Sequence, residues 1–380
     1  MSKLLLMSGP YHSSYLGKYL KETQTFVYID KNINVNHLPY QDAYNNCTEY
    51  FDSFLQHIGE NAKNQMRILA TLEDTLPFLY EKFPNHPSTN AAKIFKDKYS
   101  FREAIKDLYP SFKFKKLEKE TMVCHVSHKD AKLPEMTTFD SDIVVIKPIY
   151  GIASKDVRIV TKYDSVSIPA TKDNPYIIED YIRGSEYAID AYIDDIGDPH
   201  IINIMCHEFS DIKDTSDVLY FTSKNIVNTH STEIKLFIYE LSKKFNLKSF
   251  PFHLEVRKNE NGDLIPIELN PLRFAGYGTC EIAQWAHGIN PYDAFFNLLN
   301  TDALHNRNVD DAFYGFYEIL NKDEKALRKQ YHDFIFQNFS EVLDYRIIND
   351  PKEKVLKGIV FFRETSYKKL MDYRNLSCNT

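Results

Sequence analysis

Three short apolar runs open the chain, KLLLM (3–7), TFVYI (25–29) and MRILAT (66–71), and the segments between them, among them TEYFDSFLQHIGENAKN (48–64), are long enough for helices. That alternation predicts a βαβαβ unit on a small parallel sheet. The prolines and cap-type residues of FPNHPSTN (83–90) close this unit and start a helix over about Ala91–Leu108. Within it Ile94, Lys98, Phe101, Ile105 and Leu108 step at i, i+4, i+7, i+11 and i+14. The spacing draws one stripe and places Lys98 on its inward side. From about 112 to 300 the strands come mostly as antiparallel hairpins with intervening helices, such as STEIKLFIYELSKKF (231–245). The last segment mixes a helix, KDEKALRKQYHDFIFQNF (322–339), with a strand, KGIVFFRET (357–365). The fold class is therefore α/β followed by α+β. The expected units are 1–88, 89–310 with a smaller subdomain at 112–184, and a C-terminal α+β segment at 311–380 packed on the core.

The hairpin FHLEVRKNENGDLIPIELNP (252–271) breaks the apolar pattern in a telling place. Pairing Glu255 with Glu268 leaves 260–263 as a loop of favoured length with a glycine in a turn position. Alternation then puts Phe252, Leu254, Val256, Ile265, Ile267 and Leu269 on one face, and His253, Glu255, Arg257, Pro266, Glu268 and Asn270 on the other. Directly opposed side chains have Cβ atoms about 5 Å apart, and like charges so placed repel. A divalent cation would neutralise them, and a donor set of two carboxylates and an amide oxygen suits Mg2+ completed by waters and phosphates. A solvated face screened by water and Arg257 is the alternative.

Three further stretches carry charge inside apolar runs. In IVVIKPIYGIASKDVRIV (143–160) a strand ends in Lys147 before a loop of small residues. Backbone N–H groups of such a loop can converge on phosphate oxygens; a hairpin turn with a snorkelling lysine explains the same letters. In PYIIEDYIRGSEYAIDAYID (175–194) Glu179 and Glu186 stand in two strands joined near Arg183 and Gly184. They are placed to meet hydroxyl or amino groups, or are ordinary strand charges. Lys98 either snorkels from its helix edge or meets a buried anion.

Composition narrows the classes. The net charge of −7 gives no basic excess for nucleic acid or an anionic membrane. Five scattered cysteines without a CxxC pair indicate neither a disulfide framework nor a zinc cluster, so a reducing cytoplasm is the expected location. No run approaches the length of a membrane span, and the opening apolar run is too short for a signal peptide. The first turn, SGPYHSSYLGKYL (8–20), lacks the GxGxxG spacing of a dinucleotide site. No nucleophile elbow and no HExxH motif is present, which argues against covalent and zinc hydrolase chemistry.

Taken in order, Lys98 in KDK, Lys147 in VIKP, Glu179 and Glu186 in IIEDYIRGSEY, and Glu255, Glu268 and Asn270 in HLEV and IELNP resemble the ATP-grasp superfamily over about 90–300. The N-terminal unit resembles its usual preceding domain. The resemblance implies two α+β subdomains clamping ATP. Lys98 and Lys147 would hold phosphates under the loop Gly151, Ala153 and Ser154. Glu179 with Asp180, Tyr181 and Ile182 would receive adenine, and Glu186 the ribose. Glu255, Glu268 and Asn270 would hold one or two Mg2+ ions, with Mn2+ as a substitute. The loop is poorer in glycine than in many members. Arg273, with Lys147 a catalytic candidate, falls three residues after Asn270 rather than two.

The implied reaction is ATP-dependent ligation of a carboxylate to an amine through an acyl phosphate, with an amino acid or small peptide among the substrates and a homodimer as the assembly. A carboxylase-like or kinase-like enzyme and a catalytically silent ATP-binding regulator are the alternatives. Nothing in the spacing of CHEFSDIKDTSDVLYF (206–221) identifies an acceptor.

Overall fold

The computed structural model describes residues 3–7, 14–23, 25–29, 59–128, 136–151, 155–276, 278–305, 310–320, 328–347 and 356–376. The three N-terminal apolar runs become β1 (Lys3–Met7), β2 (Phe26–Ile29) and β3 (Arg67–Ala70), a parallel sheet in the order β2-β1-β3. Both faces are covered, as parallel sheets require. Leu4 and Leu6 join a core with Ile68, Phe95 and Phe101. Leu5 and Met7 pack instead with Leu16, Leu20 and Phe295. Most of the helix-length segment 48–64 lies outside the described residues.

The single helix expected over Ala91–Leu108 is two helices, Pro87–Lys96 and Lys98–Ile105. Asp97 divides them in an extended conformation (φ −91°, ψ 104°), and its carboxylate accepts a hydrogen bond from the Ser100 N–H at 2.7 Å. An aspartate N-cap starts a new helix axis, so the continuous stripe fails. Leu108 lies beyond the second helix and is 43% exposed. Lys98, at the first position of that helix, points toward the hairpin described below.

Seven short strands follow: β4 (Phe114–Leu117), β5 (Thr121–His125), β6 (Met136–Phe139), β7 (Ile143–Pro148), β8 (Arg158–Thr161), β9 (Ser165–Ile168) and β10 (Tyr176–Asp180). They form a four-stranded sheet, β4-β10-β7-β8, and a three-stranded sheet, β6-β5-β9, around a shared apolar core that includes Val123, Phe139, Ile146, Ile168 and Ile178.

The largest sheet has eight strands in the order β15-β14-β11-β12-β13-β16-β18-β17. These are β11 (Ser185–Ile193), β12 (Pro199–Glu208), β13 (Leu219–Thr222), β14 (Phe250–Lys258), β15 (Leu264–Pro271), β16 (Phe313–Leu320), β17 (Glu341–Ile347) and β18 (Leu356–Glu364). The C-terminal segment thus extends the same sheet. Tyr187, Ile189, Ala191 and Ile193 of β11 pack with Ile234, Ile238 and Leu241 of the helix Lys224–Phe245. The opposite face carries the polar residues of the candidate site. β10 and β11 belong to different sheets, so residues 181–184 form the passage between them. Gly184 is required there: its φ is +123°, and a Cβ would lie 1.8 Å from the Lys258 carbonyl oxygen.

In the hairpin β14–β15, Glu255 pairs with Glu268 and His253 with Asn270, as expected. A bulge then places Val256 opposite Pro266 and Arg257 opposite Ile265. The two-faced pattern therefore stops at the bulge: Pro266 is buried, while Ile265 and Ile267 are half-buried. Pro266 has no N–H for the ladder, which favours an irregularity there. The turn closes with the Asn259 N–H on the Asp263 carbonyl at 3.0 Å and Gly262 at φ +87°.

Candidate functional site

The irregular stretch of β15 turns two carbonyls toward cations from outside the large sheet. The Pro266 carbonyl accepts from Arg102, and the Ile267 carbonyl accepts from Lys147 Nζ at 3.4 Å and from Arg102 Nη2 at 3.4 Å. Lys147 on β7 is opposite Ile177 of β10, so it shares a face with Glu179 two residues along. Its Nζ lies 2.7 Å from Glu179 Oε1, while Arg102 Nε lies 2.7 Å from Oε2. Glu179 is 4% exposed. Burial raises its carboxyl, but Arg102 and Lys147 outweigh that and hold it at about 2. Burial pulls Lys147 below its ordinary value, against the attraction of Glu179. Both Glu179 oxygens therefore serve cations, one of which, Arg102, the sequence reading did not single out.

Lys98 Nζ lies 2.9 Å from Glu268 Oε2 and donates to the Gly151 carbonyl at 3.1 Å, joining the hairpin to the first residue of the small-residue loop. Ala153 and Ser154 lie outside the described residues. Asn270 Nδ2 donates to Glu268 Oε1 at 2.8 Å. Burial acts to raise Glu268, yet the charges of Lys98 and Lys147 and the bonds from Lys98 and Asn270 leave it well below the ordinary carboxylate range. Its partner Glu255 moves the other way: burial and the charge of Glu268 push it up, against His253. The structure thus places the two carboxylates side by side with unequal proton affinity.

Among the described residues no group of three or more His, Cys, Asp or Glu side chains is placed to hold a metal ion. The candidate set is two carboxylates and an amide, and it fits a hard cation: the donors are oxygens, and the pair repels when both are charged.

His253, two residues before Glu255, bonds Asp190 Oδ1 at 2.9 Å and approaches Glu255 Oε1 at 3.5 Å. Burial lowers its pKa, but hydrogen bonds to Asp190 and Glu255 raise it to about 9. Asp190 also accepts the Ala275 N–H at 2.9 Å, which fixes the turn carrying Arg273. Arg273 pairs with Glu73 at 3.3 Å through Nε and Nη2, and Nη1 donates to the Phe274 carbonyl at 3.1 Å. Lys96 reaches the other Glu73 oxygen. Burial and the neighbouring charge of Lys98 lower Lys96 to about 8. Glu73 follows β3, so the N-terminal unit supplies the counter-ion of Arg273.

Glu186 lies opposite Arg257 and His207 on β11 and is 6% exposed. His207 Nδ1 is 2.7 Å from Oε1, and Arg257 Nε donates to Oε2 at 2.8 Å. Asp180 is occupied by the Lys113 N–H at 2.8 Å, and the Tyr181 N–H donates to the Ile143 carbonyl at 3.3 Å. Among the described residues the Ile182 N–H makes no hydrogen bond to the backbone. Arg102, His207 and Glu73 were missed by sequence reasoning, and Arg257 was read only as a charge on the polar face of the hairpin that screens Glu255 and Glu268, not as the partner of Glu186. For His207 alternation opposite Glu186 was the available signal; Arg102 and Glu73 left none.

Comparison with known proteins bears on the fold that carries these residues. Residues 141–281 match the family model described as ATP-grasp domain. No curated protein matches the sequence. Among solved structures, an L-amino acid ligase from Bacillus licheniformis is similar at 15% identity and TM-score 0.64, covering 99% of this chain and 96% of that chain. A phosphoribosylglycinamide synthetase from Anaerococcus prevotii aligns at 14% identity and TM-score 0.55, covering 98% and 97%. An N5-carboxyaminoimidazole synthetase from Staphylococcus aureus complexed with ADP aligns at 12% identity and TM-score 0.56, covering 98% and 95%. The chain has the ATP-grasp fold, with its ATP-grasp domain matched between β6 and the helix Thr279–His287. No helix among the described residues is long and apolar enough to cross a membrane.

Proposed function

We propose that the protein is an ATP-dependent ligase that joins a carboxylate to an amine through an acyl phosphate, releasing ADP and phosphate, with an amino acid or small peptide as a substrate. The observation that carries the reading is the Glu255–Glu268 pair on one hairpin, with Asn270 beside it and Lys98 at 2.9 Å. Two acidic side chains forced together next to a cluster of lysines have a use when Mg2+ and a polyphosphate arrive together. The L-amino acid ligase and the ADP-bound synthetase of the same fold support the choice of reaction and nucleotide.

In this reading Glu255, Glu268 and Asn270 hold Mg2+, which when bound neutralises phosphate charge. Lys98 exchanges Glu268 for phosphate oxygens, and Lys147, kept in place by Glu179 and the Ile267 carbonyl, points its charge at the same phosphates. The edge at Asp180–Ile182 receives adenine, and the Ile182 N–H is a donor for it. Arg273 faces the reacting carboxylate. Two anions approach each other when a carboxylate attacks the γ-phosphate, so preorganised cations supply most of what the chain can contribute. The test is an ADP-release screen over paired amino acids and carboxylic acids with mass detection of the product. ADP release with a condensed product supports the ligase; ADP release with a phosphorylated or carboxylated product replaces it.

A further inference from the structure

Glu186 was expected to face a ribose, yet its oxygens hold His207 at 2.7 Å and Arg257 at 2.8 Å. Arg257 does more than neutralise it. Its Nη1 donates to the Ile182 carbonyl at 2.9 Å, and its guanidinium carbon lies 4.8 Å from the Tyr181 ring and 5.2 Å from the Phe209 ring. The side chain thus crosses from the large sheet to the passage 181–184 that joins the two sheets. Along β14 it stands two residues from Glu255 on the same strand, about 7 Å away at strand spacing. One strand therefore carries both a metal-pair carboxylate and the tie to the base edge.

We propose that Arg257, held in plane by Glu186, is a positioning residue that fixes the Ile182 edge relative to the metal hairpin and so sets the spacing at which a nucleoside triphosphate is gripped at both ends. This rests on the nucleotide reading above. Passage residues between two sheets have few ladder hydrogen bonds of their own, so their position depends on such side-chain ties. A planar fork with two separate acceptors defines direction as well as distance, which an ammonium does not. His207 completes the support: its Nε2 is 3.1 Å from the Ser216 carbonyl, and its ring stacks on Tyr220 at 3.9 Å. The arrangement predicts that losing the tie weakens recognition of the nucleoside and spares recognition of the phosphates.

The experiment compares wild type, Arg257→Met and Arg257→Lys by calorimetry with two probes, MgATP and magnesium tripolyphosphate. The tie from Arg257 Nη1 to the Ile182 carbonyl is a charge-assisted hydrogen bond, among the stronger kind. MgATP is therefore expected to bind about tenfold more weakly or worse in both variants, with tripolyphosphate within about twofold of wild type. If Arg257→Met does not fold, Arg257→Lys alone gives the reading, because lysine keeps the charge beside Glu186 and loses the fork. MgATP binding within about twofold of wild type in a folded variant overturns the inference. So does an equal loss of both probes, which would mark a general loosening of the sheet. A wild-type protein that binds tripolyphosphate but prefers MgATP no further overturns the nucleoside reading itself, a result distinct from either.

Discussion

Replacing Glu255 by glutamine separates the cost of the carboxylate pair from its use. Opposed pairs have Cβ atoms about 5 Å apart, and two unit charges at that distance repel by about 3 kcal/mol at an effective dielectric of about 20. His253 at 3.5 Å from Glu255 and Lys98 at 2.9 Å from Glu268 oppose that repulsion. If they offset about half of it, about 1–2 kcal/mol remains. Burial and Glu268 raise the Glu255 pKa. The folded protein then holds this proton more tightly than the unfolded chain. The associated stability is complete below the unfolded glutamate value and is lost as pH rises through the folded one. Thermal melts in EDTA should therefore show Glu255→Gln close to wild type at pH 5 and more stable by about 1–2 kcal/mol at pH 8, a few degrees at most for a chain of this size. Adding Mg2+ and ADP should reverse the order. Wild type gains about 2.7 kcal/mol at a hundredfold excess over the dissociation constant, and the variant gains little. A variant less stable than wild type at pH 8 in EDTA, with an undiminished response to MgADP, refutes the reasoning.

Three further outcomes follow from the same geometry. Glu268→Ala and Asn270→Ala should each abolish Mg2+-dependent ATP turnover with circular dichroism unchanged, and turnover at the wild-type rate in either removes the metal assignment. Lys147→Ala should raise the KM for ATP tenfold or more, since it deletes a phosphate cation and leaves Glu179 with Arg102 alone; an unchanged KM denies the phosphate role. Glu179, with its pKa depressed to about 2, contributes stability that is present above the unfolded value and lost as pH falls through about 2. Glu179→Gln should thus cost about 3 kcal/mol in urea unfolding at neutral pH. That difference should narrow below about pH 4, and a pH-independent difference contradicts the ion pairs.

The parts of the fold that depend on local pattern were legible in the residues, and the parts that depend on distant partners were not. The parallel N-terminal sheet followed from three apolar runs at helix-length spacing. The pairing of Glu255 with Glu268 followed from loop length and alternation. The bulge beyond Glu255 did not, although Pro266 is a residue that a regular ladder cannot use on its N–H side. Asp97 could have been read as a cap; the apolar stripe running past it hid the break. Glu179 and Glu186 stood out in the residues as charges inside apolar strands, but the arginines that bind them come from 77 and 71 residues away, at Arg102 and Arg257. Arg102 comes from the helix Lys98–Ile105 and Arg257 from β14, the neighbour of β11 in the large sheet, so no short window of sequence contains either pairing. The link from Arg273 to Glu73, spanning 200 residues, is of the same kind.

Calorimetric titration of ADP, once with Mg2+ and once with EDTA, bears most directly on whether the carboxylate pair exists to receive a nucleotide-borne cation. Affinity at least tenfold higher with Mg2+, and lost in Glu268→Ala, is the result this structure predicts. Equal affinity under the two conditions, or no heat in either, would contradict it.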